Sequence, residues 1–152
     1  MVRDRIADPA LLTHWLALGR LTLPGEPRHV RSARMFVEQT IGADHRRADE
    51  ALLLTSELVT NAVTHSRSRL PGGTIDVVVA AKIAGLLISV TDDGSDSTLP
   101  AISKTAGGEH GNGLLLTDSI ADGWGVLRCS HRITVWFKLN SKSGTPSTRS
   151  HS

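Results

Sequence analysis

The segment SELVTNAVTHS places Glu57 and Asn61 four residues apart, so that on a helix the two side chains share one face. Thr64 and His65 extend this face by one turn, whereas the remaining residues are mostly apolar. An amide oxygen suits a hard cation such as Mg²⁺ beside phosphate, and a carboxylate one turn away can orient or deprotonate a hydroxyl group. The solvated face of a surface helix has a similar pattern, so this segment alone leaves both interpretations open.

A second candidate is the sequence SVTDDGSD, in which Asp92, Asp93 and Gly94 follow a β-branched run. Asp and Gly are common turn formers, and locally a plain turn is the simpler interpretation. A carboxylate at the end of a strand can also accept a hydrogen bond from an adenine amino group. The glycine two residues further on would let the backbone approach the ring closely.

The third candidate is a glycine-rich loop that leads into an apolar helix. Gly107, Gly108, Gly111 and Gly113 precede this helix, which begins at Leu114. Glycines before a helix leave backbone N–H groups accessible to phosphate oxygens, and the helix dipole favours the negative charge. The loop lacks the Gly-Lys-Ser/Thr of a Walker A motif, and no strand leads directly into it as in a dinucleotide fingerprint. Glycines alone are weak evidence, because many loops are rich in glycine for other reasons.

The elements that must position these residues follow from the hydrophobic pattern. Five strands are predicted at 16–23, 74–81, 86–91, 126–130 and 133–139. Three helices are predicted at 30–41, 44–66 and 114–121, with Asp44 as the cap of the second. The order β-α-α-β-β-loop-α-β-β predicts an α+β domain with one layer of helices packed on one mixed sheet.

Composition and length set the remaining bounds. A chain of 152 residues fits one domain, with a leader at 1–15, a domain at 16–139 and a tail at 140–152. Lys and Arg number 17 against 15 Asp and Glu, and no basic run with interleaved aromatics occurs, which argues against direct nucleic-acid binding. Cys129 is the single cysteine, and no apolar run approaches the ~18 residues of a membrane span. These features predict a cytoplasmic protein that does not enter the membrane.

In their order along the chain, these motifs resemble the GHKL ATPase superfamily. Glu57 and Asn61 match its N box, residues 92–94 its first glycine box and residues 111–113 its second. Within that superfamily the chain looks most like the stand-alone anti-sigma-factor serine/threonine kinases of the SpoIIAB and RsbW type. The resemblance extends over residues 21–139 and rests on four segments, LPGEPRHVRSAR, SELVTNAVTHS, GNGLLLTDSIADGWGV and TVWFKL.

The resemblance implies a two-layer α/β sandwich of the Bergerat type, with a mixed and mainly antiparallel sheet and helices on one face. ATP would lie between the second helix and the glycine loop. The resemblance further implies that Asn61 coordinates Mg²⁺ at the phosphates and that Glu57 is the general base. Asp92 would bind the adenine amino group, with Gly94 beneath the ring and Thr134 supporting the contact.

The same resemblance assigns Gly111, Gly113 and Leu114 to the lid that closes on the phosphates. His65 is either a further nucleotide contact or a structural residue at the end of its helix. The sequence departs from the family pattern in its short lid and at residues 131–133, which read HRI where relatives commonly have Gly and Lys.

The activity that the resemblance implies is ATP-dependent phosphorylation of a serine or threonine on a STAS-type anti-anti-sigma protein. When not bound to that antagonist, the kinase would sequester a sigma factor and so regulate transcription by partner switching, and relatives suggest a homodimer. Glu57 favours catalysis, because a nucleotide sensor has no need of a base at that position. The alternative is a non-catalytic module of the same fold, in which nucleotide tunes a protein-binding surface.

Overall fold

The computed structural model describes residues 15–95 and 112–141, except for the side chains of Asn112 and Gly113. Its strands are β1 (Leu16–Pro24), β2 (Thr74–Lys82), β3 (Gly85–Asp92), β4 (Gly123–Cys129) and β5 (Arg132–Asn140). Its helices are α1 (His29–Ile41), α2 (Ala48–His65) and α3 (Asn112–Ile120), and a 3-10 turn follows α2 at Arg67–Arg69. The five predicted strands and three predicted helices are therefore present, with shifted ends.

The start of α2 differs from the prediction, since the helix begins at Ala48 and Asp44 does not cap it. No side chain caps this helix, and the backbone N–H of Arg47 instead donates to Nδ1 of His45 at 2.9 Å. The N–H groups that need a capping acceptor belong to the first helical turn. Asp44 lies too far upstream of that turn to serve as its N-cap.

The strands form one sheet in the order β1-β2-β3-β5-β4, and all four pairings are antiparallel. The described strands contain no parallel pair, which agrees with the predicted mainly antiparallel sheet. β4 lies at one edge, and the β4–β5 hairpin returns β5 to the side of β3. This arrangement places the C-terminal end of β3 beside the N-terminal end of β5.

Burial along β5 shows which face of the sheet is covered. Ile133, Val135, Phe137 and Leu139 are each at most 7% exposed, whereas Thr134, Trp136 and Lys138, which lie between them, are half-buried. The buried face joins apolar residues of α1, α2 and α3 in one core. The helices thus cover one face of the sheet, as predicted. Removing each large apolar side chain from water stabilises the fold by about 1.5–3 kcal/mol.

α2 is the helix that the core surrounds most completely. Eight of its 18 residues are buried, namely Ala48, Ala51, Leu54, Thr55, Leu58, Val59, Ala62 and Val63. It packs against α1, α3, β2 and β3. Polar residues on the remaining side of α2 are therefore held at the edge of a firmly packed element.

Among the described helices, α2 included, none combines the length and apolar character that crossing a membrane requires.

Arg47 fastens the start of α2 to the sheet. Its side chain is 7% exposed, and its Nε donates to the Glu50 carboxylate at 2.9 Å. One terminal nitrogen donates to the Asp122 carboxylate at 3.1 Å and to the backbone carbonyl of Asn140 at 2.7 Å. The Asp122 carboxylate also accepts the backbone N–H of Asn140 at 2.7 Å. This buried guanidinium joins α2, the turn before β4 and the end of β5.

Replacing Arg47 by methionine is expected to lower the free energy of unfolding by about 3 kcal/mol, because Asp122 and the carbonyl of Asn140 lose their shared donor. The adjacent Arg46 is exposed, and Arg46→Met is the matched control, with an expected change within about 0.5 kcal/mol. Urea unfolding followed by circular dichroism measures both variants. Equal stability of the two variants would show that the Arg47 contacts contribute nothing.

Candidate functional site

Glu57 and Asn61 lie on the accessible side of α2. Both side chains are partly exposed, while Leu58 and Ala62 beside them are buried in the core. Within the described parts of the chain, neither Glu57 nor Asn61 has a hydrogen-bond or ion-pair partner. The carboxylate and the amide are therefore held by the backbone of a packed helix while their polar atoms stay available to another molecule.

Thr64 and His65 continue this polar side to the end of α2, and both are exposed. His65 takes part in an interaction within the chain, so its assignment as a nucleotide contact stays a prediction. In residues 15–95 and 112–141, no group of three or more His, Cys, Asp or Glu side chains is arranged to hold a metal ion. The assignment of Asn61 as a ligand of Mg²⁺ therefore stays a prediction.

The end of α2 is bonded to the turn that follows β3. The backbone N–H of Arg67 donates to the carbonyl of Gly94 at 2.6 Å. The backbone N–H of Asp93 donates to the hydroxyl of Ser68 at 2.8 Å, and that hydroxyl donates to the carbonyl of Thr74 at 2.7 Å. These bonds bring the second predicted motif, residues 92–94, against the end of the helix that carries the first.

Asp92 is a half-buried carboxylate, and one of its oxygens has no hydrogen-bond donor among the described residues. Its Oδ1 accepts the backbone N–H of Gly94 at 2.7 Å, and no other described group donates to the carboxylate. Burial raises the pKa of Asp92 to about 6; the charge of Asp93 adds to this effect, whereas the Gly94 hydrogen bond and the charge of Arg132 oppose it. At pH 7 the group is mostly ionised, and its second oxygen can accept a hydrogen bond from a ligand amino group.

Asp93 differs from its neighbour because both of its oxygens face partners within the chain. Oδ2 accepts the backbone N–H of Thr74 at 3.1 Å, and Oδ1 lies 3.3 Å from Nε of Arg132. The two adjacent carboxylates therefore have separate tasks. Asp93 holds the turn, whereas Asp92 keeps one oxygen without a donor among the described residues.

Gly94 completes the turn in a conformation that other residues rarely adopt, with φ at 79°. A Cβ added at this position would overlap the backbone carbonyl oxygen of His131. The turn after β3 thus packs directly against the turn between β4 and β5. Glycine is required here both by the backbone angle and by the lack of space beside His131, whereas the approach of this backbone to an adenine ring stays a prediction.

The structure does not bring Thr134 together with Asp92. Asp92 pairs with Ile133 across β3 and β5, and Thr91 pairs with Thr134. Side chains alternate between the faces of a strand, so Thr134 points to the face opposite the helices, where its hydroxyl lies 2.6 Å from that of Thr91. Ile133 occupies the helix side next to Asp92. In this register Thr134 does not face the same side of the sheet as Asp92, so the geometry does not support the predicted contribution of Thr134 to the adenine contact.

The glycine-rich motif lies largely outside the described residues, including Gly111, Gly107 and Gly108. Gly113 lies in the first turn of α3, and Leu114 follows it. The Leu114 side chain is 4% exposed and belongs to the core. A phosphate contact near this residue would therefore involve backbone N–H groups of the first turn rather than the leucine side chain.

A groove of about 880 Å³ lies between α1 and α2, away from the predicted site residues. Its lining includes Arg31, Arg34, Met35 and Leu52. At about 100° per helical residue, Leu52 and Asn61 lie about 180° apart around α2. The groove and the Glu57–Asn61 side are therefore two separate surfaces of the same helix.

Comparison with known proteins relates this geometry to a family. The family model described as the histidine kinase-like ATPase domain matches residues 23–137. The crystal structure of the RsbU and RsbW domains of Rv1364c from Mycobacterium tuberculosis is similar to this chain, with a TM-score of 0.55 and 19% sequence identity. The match covers 80% of this chain and 32% of that one, and at this identity it shows a shared fold. No curated protein matches the sequence.

Asp92→Asn is expected to raise the free energy of unfolding at pH 8 by about 2 kcal/mol, because it removes a buried charge. Between the ordinary pKa of 3.8 and about pH 6, the folded protein holds a proton on Asp92 that the unfolded chain has released. The contribution of this carboxyl group to the free energy of unfolding therefore falls as pH rises through that range. The gain should therefore largely disappear near pH 4, where the wild-type carboxyl is protonated in the folded state and begins to take up its proton in the unfolded chain. Urea unfolding at the two pH values measures the difference.

Asp93→Asn is the matched control for this substitution. It removes the charge that faces Arg132 and weakens the acceptor for Thr74, so it is expected to lower stability at pH 8 by about 1 kcal/mol. Stabilisation by both substitutions, or by neither, would contradict the separate tasks assigned to the two carboxylates.

Proposed function

We propose, because the chain belongs to the histidine kinase-like ATPase domain family, that it binds Mg·ATP and acts as a protein serine/threonine kinase of the anti-sigma-factor type. The observation that carries this proposal is the combination of three available polar groups on fixed elements. Glu57 and Asn61 lie on α2 without partners among the described residues, and Asp92 has an unbonded oxygen at the end of β3. Hydrogen bonds join the end of α2 to the turn that carries Asp92.

The donor set of this site fits a magnesium nucleotide. The ionised Asp92 would accept the adenine amino group, and the backbone at Gly94 would lie beneath the ring. Asn61 would give a neutral oxygen to Mg²⁺, which when bound neutralises charge on the phosphates. The first backbone N–H groups of α3 would receive phosphate oxygens, since they have no acceptor within the helix.

In the reaction proposed here, the terminal phosphoryl group passes from ATP to a serine or threonine hydroxyl of a protein, and ADP leaves. Glu57 would accept the proton that the hydroxyl loses as its oxygen bonds to phosphorus. Positioning and charge neutralisation supply most of the rate in such transfers. A packed α2 meets this requirement, because it fixes the relative positions of Glu57 and Asn61 before any ligand arrives.

The proposed acceptor is a STAS-type anti-anti-sigma protein, and the second partner is a sigma factor. The support is the resemblance to kinases of the RsbW type together with the fold shared with a chain that contains an RsbW domain. This chain covers 32% of that protein, so its partners are part of the proposal. Cytoplasmic localisation belongs to the proposal as well, and the exposed free thiol of Cys129 agrees with a reducing compartment.

Calorimetric titration with Mg·ATP is expected to show micromolar binding that Asp92→Asn and Asn61→Ala each weaken at least tenfold, which is about 1.4 kcal/mol. Removing Mg²⁺ with EDTA should abolish the difference between Asn61→Ala and wild type, because Asn61 acts through the metal. Thr60→Ala, on the exposed side of the same helix, is the control and should bind normally. Thr134→Val should also bind normally if the register described above is correct. Failure of the wild type to bind at millimolar ATP would overturn the proposed function.

Glu57→Gln is expected to bind Mg·ATP as the wild type does but to lose phosphotransfer by about two orders of magnitude or more. Transfer of radiolabelled phosphate to a purified STAS-type protein from the same organism measures this. If the wild type binds ATP but transfers phosphate to none of the STAS-type proteins tested, the result would instead favour a non-catalytic module in which nucleotide tunes a protein-binding surface.

A further inference from the structure

We propose that Arg132 is the positioning residue of the adenine site, which holds the turn of residues 92–94 in place and keeps Asp92 in its binding form at neutral pH. This inference rests on the proposed function, since it concerns the recognition of adenine by Asp92. It is specific to this chain, because Arg132 lies in the segment HRI that departs from the family pattern.

The contacts of Arg132 connect three parts of the sheet. Its terminal nitrogen NH1 lies 3.3 Å from the Asp76 carboxylate on β2, and its Nε lies 3.3 Å from the Asp93 carboxylate after β3. Arg132 itself is the first residue of β5. One guanidinium thus bridges two carboxylates that are 17 positions apart in sequence, at the edge where β3 ends.

Asp76 is a fixed anion to which this bridge is anchored. Its side chain is 8% exposed and accepts from the Thr22 hydroxyl at 2.6 Å and from Arg20 at 2.9 Å. Burial alone would raise the pKa of Asp76, but the Thr22 hydroxyl and the Arg20 and Arg132 guanidinium groups hold it below its ordinary value. The anchor therefore stays charged throughout the neutral range.

The other end of the bridge is Asp93, which acts as the pivot of the turn. Asp93 accepts from the backbone of Thr74 and donates its own N–H to Ser68. Because successive side chains point to opposite faces, holding Asp93 on the outer face directs Asp92 towards the helices. Arg132 therefore acts on Asp92 through its neighbour and touches no part of the proposed nucleotide.

Arg132 also acts on Asp92 through its charge. Among the described residues, the charged groups that act on Asp92 are Asp93 in the same turn and Arg132 on β5, and the backbone of Arg67 after α2 bonds to the neighbouring Gly94. Of these, Asp93 raises the pKa of Asp92 and Arg132 lowers it, after burial as the largest cause. Loss of Arg132 would leave the buried carboxylate beside Asp93 without a compensating cation, and protonation of Asp92 would remove the acceptor for the adenine amino group.

The test is the affinity for Mg·ATP measured by calorimetry between pH 5 and pH 8.5. Wild-type affinity should fall as pH drops, with a midpoint near pH 6. Arg132→Gln should move this midpoint upward by about half a pH unit or more, so that affinity is reduced at pH 7 but largely restored at pH 8.5. Arg132→Lys should keep the midpoint, because it keeps the charge. A uniform loss of affinity at every pH in Arg132→Gln would show a merely structural role and overturn the inference.

Two further variants make the outcome decisive. Arg20→Gln removes the other cation that pairs with Asp76. Arg20 does not affect the pKa of Asp92, so this variant should leave the midpoint unchanged. Asp93→Asn should move the midpoint downward, opposite to Arg132→Gln. If Arg132→Gln fails to fold, Asp93→Asn still tests whether neighbouring charges set the pKa of Asp92. An unmoved midpoint in both Asp93→Asn and Arg132→Gln overturns this inference alone, whereas no binding of ATP by the wild type at any pH overturns the proposed function.

Discussion

The antiparallel register between β3 and β5 is the constraint on which the candidate site depends. It pairs Asp92 with Ile133 on the helix side and Thr91 with Thr134 on the outer side. A slip of one residue would exchange the two faces and turn Asp92 away from α2. The register is held because Val90 and Val135, the next pair on the helix side, are both buried in the core. The apolar pattern of the strands thus decides where the carboxylate points.

The site places a charge where the fold would be more stable without one. Burial raises the pKa of Asp92 to about 6, which means that the ionised form is disfavoured in the folded protein relative to the unfolded chain. A folded protein can retain such an energetic cost when surrounding contacts fix the local geometry. Here those contacts are the bonds of Arg67 and Ser68 to the turn and the packing of Gly94 against His131. These contacts fix the position of Asp92 more firmly than an isolated Asp-Gly turn would.

The sequence allowed the elements and the two described motifs to be predicted, because hydrophobic periodicity and residue spacing are local properties. It did not allow the face of Thr134 to be predicted, since the order of motifs carries no information on strand register. The contacts of Arg132 could not be predicted for a similar reason, because its partners Asp76 and Asp93 come from β2 and from the turn after β3. Asp44 was taken for a helix cap from its residue type, whereas the backbone places the first turn of α2 at Ala48.

The two ends of α2 explain why this helix suits a nucleotide site. At its start, Arg47 ties it to the end of β5, and just beyond its end Arg67 bonds to Gly94. Between these points the apolar residues of α2 are buried, so Glu57 and Asn61 have fixed backbone positions. A ligand that contacts them need not order the helix, and more of the interaction energy remains for binding.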